Sequence, residues 1–582
     1  MSVESLITQH IDIWTSAVQT KSTSGRGTSS KLDLYGIKKL RELILELAVC
    51  GKLVPQDPND EPATVLLERI EKEKARLIKA KLIKKPKALP EIEDLPFSIP
   101  QSWKWSQLGY LTNYGVCDKA EPKDITNDIW VLELEDVEKV TSRLIQKVYF
   151  SERSSKSSKN KFQKSDVIYG KLRPYLDKVL IADEDGVCTT EMIPVRGYSQ
   201  LIPAYIRLVL KSPYFIKYAN DSTHGMNLPR MGTDKARAAL FPLAPLKEQH
   251  RIVAKVDELM KLCDQLEQQT EASITVHQVL VETLLATLTN SKNAEELMEN
   301  WQRISAHFDT LFTTEESIDQ LKQTILQLAV MGKLVPQNPA DEPASELLKR
   351  IAKEKAQLVK EGKIKKQKAL PPITDDEKPF ELPNGWEWCR LDDVVDILSG
   401  ITKGRKLAGR ELKTIPYLSV ANVQRGYLNL QNVKEIDLPI DELEKYSVED
   451  GDLLITEGGD WDKVGRTAIW RSEVPYMAHQ NHVFKARPFI NEQSETWLEM
   501  YLNGPFARDY FAGSSKQTTN LASINKTQLR GCLIAVPPMS EKKMIMEKIS
   551  LLFGICDQML ESLSHIQQIQ NLLTDELIEQ AI

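Results

Sequence analysis

Basic and aromatic side chains alternate in YGKLRPYLDK, residues 169–178, where Lys171, Arg173 and Lys178 are interleaved with Tyr169 and Tyr175. A strand or turn of this composition sets ammonium and guanidinium groups against phosphates or guanine edges. The same pattern suits an exposed edge strand protected by charge. The stretch lies in a basic region: residues 143–178 hold ten Lys or Arg against three acidic residues, although the whole chain carries a net charge of −6. A summed charge hides such local fields.

Three further stretches offer related chemistry. SGITKGRKLAGRELK supplies Thr402, Lys403, Arg405, Lys406 and Arg410 beside glycines, which permit close backbone approach to a polymer or simply form a surface loop. STHGMNLPRMGTDKAR, with His224 and Arg230, and GSSKQTTNLASINKTQL, with Lys516, Gln517, Thr518 and Asn520, are dense in side chains that read groove edges. A turn leading into a helix N-cap uses the same residue types.

Signals for catalysis are missing. No G-x-x-x-x-G-K-[ST] phosphate loop occurs, no glycine-rich strand-to-helix turn, and no Asn/Asp-Pro-Pro-aromatic motif of amino-methyltransferases. The eight histidines lack metal-ligand spacing; His479 and His482 in MAHQNHVF supply at most two ligands and read instead as part of a polar loop. No catalytic or metal-ligating residue is therefore assigned.

The elements that must carry these stretches are repeated. GKLVPQDPNDEPA at residues 51–63 returns as GKLVPQNPADEPA at 332–344, and residues 47–90 match 328–371 without a gap at 31 of 44 positions. In each copy a helix follows, over 64–85 in the first, with leucines and isoleucines at three- and four-residue steps. A paired-tryptophan signature comes next, IPQSWKWSQL and LPNGWEWCRL; Trp103, Trp105, Trp386 and Trp388 read as core pieces rather than base-stacking platforms. Two unlike inserts of mixed α and β character then lead to closing helices. There Ile252, Val256, Leu259, Cys263 and Leu266 step by four, three, four and three, as do Ile545, Ile549, Leu552, Cys556 and Met559. That spacing predicts a seam between two long helices, with both cysteines as small core residues. Residues 21–31 and 291–317 read as linkers.

Length and composition agree with a multidomain globular protein: 582 residues, 41% apolar, and seven cysteines without a C-x-x-C pair, which points to a reducing compartment, the cytoplasm. No apolar run approaches a membrane span and no basic-then-apolar leader opens the chain.

The order of helical frame, insert, LAPLKEQHRIVAKVDELM helix, repeated frame, GWEWCRL, second insert and closing helix resembles the specificity subunit of type I restriction-modification systems. The resemblance implies an α+β fold: two mixed α/β target recognition domains joined by long, antiparallel, coiled-coil-like helices in a tandem pseudo-symmetric repeat. It divides the chain into a helical frame (1–95), a first target recognition domain (96–245), a spacer helix (246–290), a linker with the repeated frame (291–380), a second target recognition domain (381–538) and a final spacer helix (539–582). It implies double-stranded DNA, two methyltransferase subunits and restriction/translocase subunits as partners. No cofactor is expected on this chain; S-adenosylmethionine, ATP and Mg belong to the partner subunits. The DNA-binding expectations are then Lys171, Arg173, Tyr175, Lys178, His224, Arg230, Thr402, Lys403, Arg405, Lys406, Lys516, Gln517, Thr518 and Asn520. One departure is that Gln249 and Arg251 have Lys542 and Met544 as counterparts, which predicts unequal docking surfaces. A stand-alone DNA-binding regulator and a helical protein-interaction scaffold are the alternative readings.

Overall fold

The computed structural model describes residues 3–21, 31–153, 157–225, 228–459, 463–518 and 521–581. These divide into two compact units, one of residues 3–21, 31–273 and 566–581, the other of residues 274–565. Unit 1 runs through α1 (Tyr35–Val49), α2 (Ala63–Lys79) and a head containing α3 (Pro203–Lys211) and α4 (Pro213–Asp221), then enters α5 (Leu246–Thr289). Unit 2 repeats the order with α6 (Glu315–Val330), α7 (Ala344–Lys360), α8 (Glu495–Asn503), α9 (Pro505–Ser514) and α10 (Met539–Ala581).

On α1, Ile37, Leu40, Ile44 and Leu47 recur every three or four residues and are buried, the stripe an amphipathic helix needs. They share one core with Ile252, Val256, Leu259, Cys263 and Leu266 of α5. Arg41 fixes the alignment by pairing with Asp264 at 2.8 Å and Glu267 at 2.6 Å. In unit 2, Leu321, Ile325 and Leu328 of α6 share a core with Ile545, Ile549 and Cys556 of α10, and Lys322 pairs with Asp557 at 2.5 Å. The four-three spacing thus faces the frame helix of its own unit, which corrects the expected seam between the two long helices. The reason is proximity in the repeat: each frame carries its own complementary stripe.

The far ends of the long helices also pack on cores, that of α5 buried and that of α10 partly buried. Val281, Leu285 and Leu288 of α5 join the core of unit 2. Leu577, Ile578 and Ala581 pack on the core of unit 1, where the Tyr35 hydroxyl donates to Asp575 at 2.7 Å. By length and composition α5 would suffice to cross a membrane, contrary to the sequence expectation; within its apolar stretch Val281, Leu285 and Leu288 are buried, whereas Val276, Val279 and Leu280 are exposed.

α2 stops at Lys79, six residues before the predicted end, because Lys81 takes a left-handed conformation (φ 57°) and the Leu82 amide turns back to the Leu77 carbonyl at 3.0 Å. The second copy places Gly362 (φ 71°) at that point. Residues 291–317 are a linker in neither composition nor form: helices at Ala294–Ser305 and Phe308–Leu311 fill them, and the Asn293 and Thr314 side chains cap the helices that follow. Gln19–Lys21 pairs with Lys31–Asp33, so the ends of the other expected linker are tied together; residues 22–30 lie outside the described residues.

The first head contains β1 (Lys104–Gln107), β2 (Val167–Gly170), β3 (Val179–Ile181), β4 (Met192–Val195), β5 (Thr223–His224), β6 (Arg230–Met231) and β7 (Leu240–Leu243). The second contains β8 (Glu387–Arg390), β9 (Val395–Leu398), β10 (Leu453–Thr456), β11 (Gly458–Gly459), β12 (Thr467–Ile469), β13 (Val483–Pro488), β14 (Lys516–Thr518), β15 (Leu521–Ser523) and β16 (Leu533–Val536). β1 pairs antiparallel with β7, and β8 with β16. Each insert is therefore closed by a ribbon of its first and last strands before the long helix begins. The central sheets are β4-β2-β3 and β9-β13-β10-β12; the first head adds a four-stranded sheet and the second a three-stranded one.

Candidate nucleic-acid interface

Three motifs far apart in sequence meet where each head joins its frame. In unit 1 the Trp103 indole donates to Glu248 at 3.0 Å, and Gln56 of the proline-rich turn donates to the other carboxylate oxygen at 2.6 Å. In unit 2 Trp386 donates to Glu541 at 2.9 Å and Gln337 does so at 3.2 Å. Gly51 (φ 73°) and Gly332 (φ 67°) shape the turn, and a Cβ at either would meet Pro100 or Pro383 at 2.5 Å. The turn is duplicated because each head needs the same socket. All four tryptophans are core pieces as predicted: Trp103 and Trp386 are buried, while half-buried Trp105 and Trp388 meet Phe97 and Phe380 edge-on at 4.9 and 5.1 Å.

Gln249 and Lys542 are buried as well, which corrects their reading as docking surface. Gln249 donates to the Ala244 carbonyl at 2.9 Å; Lys542 donates to the Gln493 carbonyl at 3.2 Å, and burial pushes its ammonium down to about 8. The outward difference is Arg251, paired with Asp60 at 2.7 Å, against exposed Met544.

Beneath unlike sequences the heads share a scaffold. Arg196 grips Asp166, just before β2, with bonds of 2.7 and 2.8 Å; Arg487 grips Asp452, just before β10, with bonds of 2.6 and 2.7 Å. From the end of that strand a loop runs onto a β-hairpin. In unit 1 the Lys171 amide donates to the Glu191 carbonyl and its carbonyl accepts from Met231. Leu172 bridges to Arg230, and the Arg173 amide donates to the Pro229 carbonyl at 2.7 Å. The hairpin is β5-β6, with His224 opposite Arg230. In unit 2 the Glu457 amide donates to the His482 carbonyl and its carbonyl accepts from Ile524; β11 then pairs with β15 of hairpin β14-β15. Glu457 therefore stands where Lys171 stands in the first head. The sequence reading missed 457–459 and 463–466 as the counterpart of 171–178. A signal was present: SDVIYGKL and GDLLITEG both read as an Asp followed by an apolar strand.

The structure thus joins Lys171, Arg173, Tyr175, His224 and Arg230 in one loop–hairpin element. Arg173 and Tyr175 are exposed, and no hydrogen bond or ion pair engages the Arg173 side chain among the described residues. Lys178 differs: half-buried, it donates to the Leu134 carbonyl at 2.7 Å, and burial lowers its ammonium pKa. Arg230 is held by Glu191 at 3.1 Å. Much of the basic region is likewise engaged internally. Lys147 pairs with Asp183 at 2.8 Å, Arg153 with Asp136 at 2.5 Å, and Lys159 with Glu133.

In unit 2, Lys516, Gln517 and Thr518 form β14, and Asn520 lies outside the described residues. Thr402 and Lys406 are exposed on the loop after β9. Its other cations are held locally: Lys403 lies 4.8 Å from the Tyr417 ring centroid, Arg405 pairs with Glu442 at 2.8 Å, and Arg410 with Glu442 and Asp441 at 2.6 Å each. His479 is fully buried with its Nδ1 2.7 Å from the Val483 carbonyl, and burial pulls its pKa down to about 4, so it is a neutral core residue rather than part of a polar loop. His482 is exposed and meets Glu457 at 2.6 Å. Among the described residues no cluster of three His, Cys, Asp or Glu could hold a metal.

Residues 383–569 match the profile of the type I restriction modification DNA specificity domain. Over 100% of both chains, the sequence is 44% identical to the EcoAI type I restriction enzyme specificity subunit of Escherichia coli. It is 42% identical to the EcoEI specificity subunit of the same species, again over 100% of both chains. A solved chain from a study of complex assembly and conformational transition of the type I R-M system aligns over 84% of this chain and 99% of its own, at 18% identity and a TM-score of 0.49.

Proposed function

The chain belongs to the family of type I restriction-enzyme specificity subunits, and we propose that it reads a bipartite, asymmetric DNA site, one half with each head, while docking methyltransferase and restriction subunits. One observation carries this reading: equivalent positions on a shared scaffold hold opposite chemistry, an ammonium at Lys171 and a carboxylate at Glu457, each bracketed by the same backbone bonds. A cation donates to phosphates and to guanine, whereas a carboxylate accepts from cytosine. Identical heads read symmetric sites; unlike heads on one scaffold read a split, asymmetric one. Recognition is this chain's role, and methyl transfer with S-adenosylmethionine and ATP-driven steps with Mg fall to its partners.

Two equivalent apolar faces support docking of two methyltransferase copies. Val276, Val279 and Leu280 of α5 are 68%, 58% and 47% exposed, and their counterparts in the repeat, Ile569, Leu572 and Leu573 of α10, are 43%, 68% and 45% exposed. Exposed apolar clusters of this kind mark protein contacts. Mapping methylated sites in cells carrying this chain and its cognate subunits tests the reading. A split motif with unlike halves is expected, and a palindrome or a continuous motif would sink it. Mass measurement at saturation should show two methyltransferases per chain, and one after Val279→Asp.

A further inference from the structure

Seven described non-glycine residues of the first head hold left-handed backbone, and four of these, Val140 (φ 69°), Ser142 (59°), Arg173 (51°) and Asp177 (48°), lie on two turns that touch. The Val140 amide donates to the Leu176 carbonyl at 2.9 Å, and the Ser142 hydroxyl donates to the Asp177 carbonyl at 2.6 Å. Lys211, the last residue of α3, closes the assembly from beneath. Its ammonium donates to the Val140 carbonyl at 2.7 Å, the Ser142 hydroxyl at 2.8 Å and the Asp177 carboxylate at 2.5 Å. A β-branched residue with positive φ is a true outlier, and such outliers persist only where the surroundings impose them.

The second head shows that the scaffold does not demand this strain. Its turn, closed by the Val423–Leu428 bridge as the first is by Val137–Leu144, places Gly426 (φ 78°) there; Gly465 (φ 70°) stands two residues before β12, as Asp177 does before β3. Asn503, the last residue of α8, replaces Lys211 and, among the described residues, bonds only the Thr467 backbone, at 2.8 and 3.1 Å. Glycine adopts these conformations without steric cost. Val140 also gains nothing from burial, since it is 53% exposed beside the turn that carries Arg173 and Tyr175.

We propose that Val140 is a specificity-determining residue of the first head, making the apolar contact to a thymine methyl group, and that Lys211 is the positioning residue that holds both turns rigid for it. Apolar side chains distinguish thymine by that methyl in the major groove. The inference rests on the DNA-recognition reading above. Its test is the methylated-site map of cells carrying the full chain, unaltered or altered, with its partner subunits. Val140→Gly relieves the strain, so the purified variant should unfold at a higher temperature than the unaltered chain. One thymine position in one half-site should become degenerate, with discrimination there falling about tenfold, and the other half should be unchanged. Val140→Ile should keep the original motif. Lys211→Asn, copying the second head, should weaken modification through the first half-site while leaving its partner half intact. An unchanged motif with Val140→Gly would overturn the proposal, as would a lower unfolding temperature or loss of both halves together. Absence of any split motif with the unaltered chain would instead overturn the recognition reading itself, and this inference with it.

Discussion

In the first head Arg196 closes on Asp166, and in the second Arg487 closes on Asp452, each through paired hydrogen bonds of 2.6–2.8 Å. From these matched anchors the two heads part company. One continues into Lys171, Arg173 and Tyr175 and a turn held by Lys211; the other continues into Glu457 and two glycines and a turn held by Asn503. The contrast teaches that the anchor and ribbon are conditions for folding, whereas the loop–hairpin is free to vary. Asp166 and Asp452 are buried, and a buried carboxylate must keep its guanidinium, because leaving it unpaired in a low dielectric is costly. An exposed loop bears no such constraint.

The strongest way to break this comparison is to exchange residues 96–245 for the insert of a related specificity subunit. One half of the methylated motif should be replaced completely and the other retained, as read by sequencing of modified sites. Change in both halves would show that the heads are not independent. Next in size are Trp103→Ala and Trp386→Ala. Each removes a buried indole from the socket of one head and should cost about 3–5 kcal/mol in that unit alone. Denaturant unfolding followed by unit-specific probes checks whether the other unit keeps its transition.

Lys542 sharpens the comparison between the frames, because its counterpart Gln249 is neutral. Its folded pKa of about 8 lies below the ordinary 10.5. Between those values the unfolded chain binds the extra proton, so this group makes stability rise with pH across that window, and its cost is fully present below about 8. Lys542→Gln should therefore stabilise unit 2 at pH 7 by about 1–3 kcal/mol and flatten the rise, which urea titrations at pH 7 and 9.5 would reveal. The smallest effect is Arg173→Ala. If Arg173 meets a phosphate, the slope of log binding constant against log salt should fall by about one unit with no change of target. Lys178→Ala should leave that slope alone, since the lysine already serves the Leu134 carbonyl.

How far this arrangement is legible in sequence depends on the range of the interaction. The duplicated turn, the paired tryptophans and the stripe from Ile252 to Leu266 are periodic or repeated signals, and they correctly mark a twofold frame with Cys263 and Cys556 buried in it. Polar stretches likewise mark both hairpins, because turns and strand edges select such residues locally. The partner of the stripe was misread, since a four-three spacing says that a helix face is buried and not against which helix.

What the chain alone determined, then, is a tandem frame carrying two heads without catalytic motifs. Which cations remain available was decided by tertiary structure. Lys178 finds its acceptor 44 residues away, Arg405 finds Glu442 at a separation of 37, and Arg230 finds Glu191 at 39. Composition counts those charges equally with Arg173, but only folding brings a particular carboxylate or carbonyl within hydrogen-bond distance. The same holds for the shared scaffold of the heads. Asp166 and Arg196 lie 30 residues apart and Asp452 and Arg487 lie 35 apart, and only the sheet that places both members of each pair side by side makes the two inserts recognisably one fold.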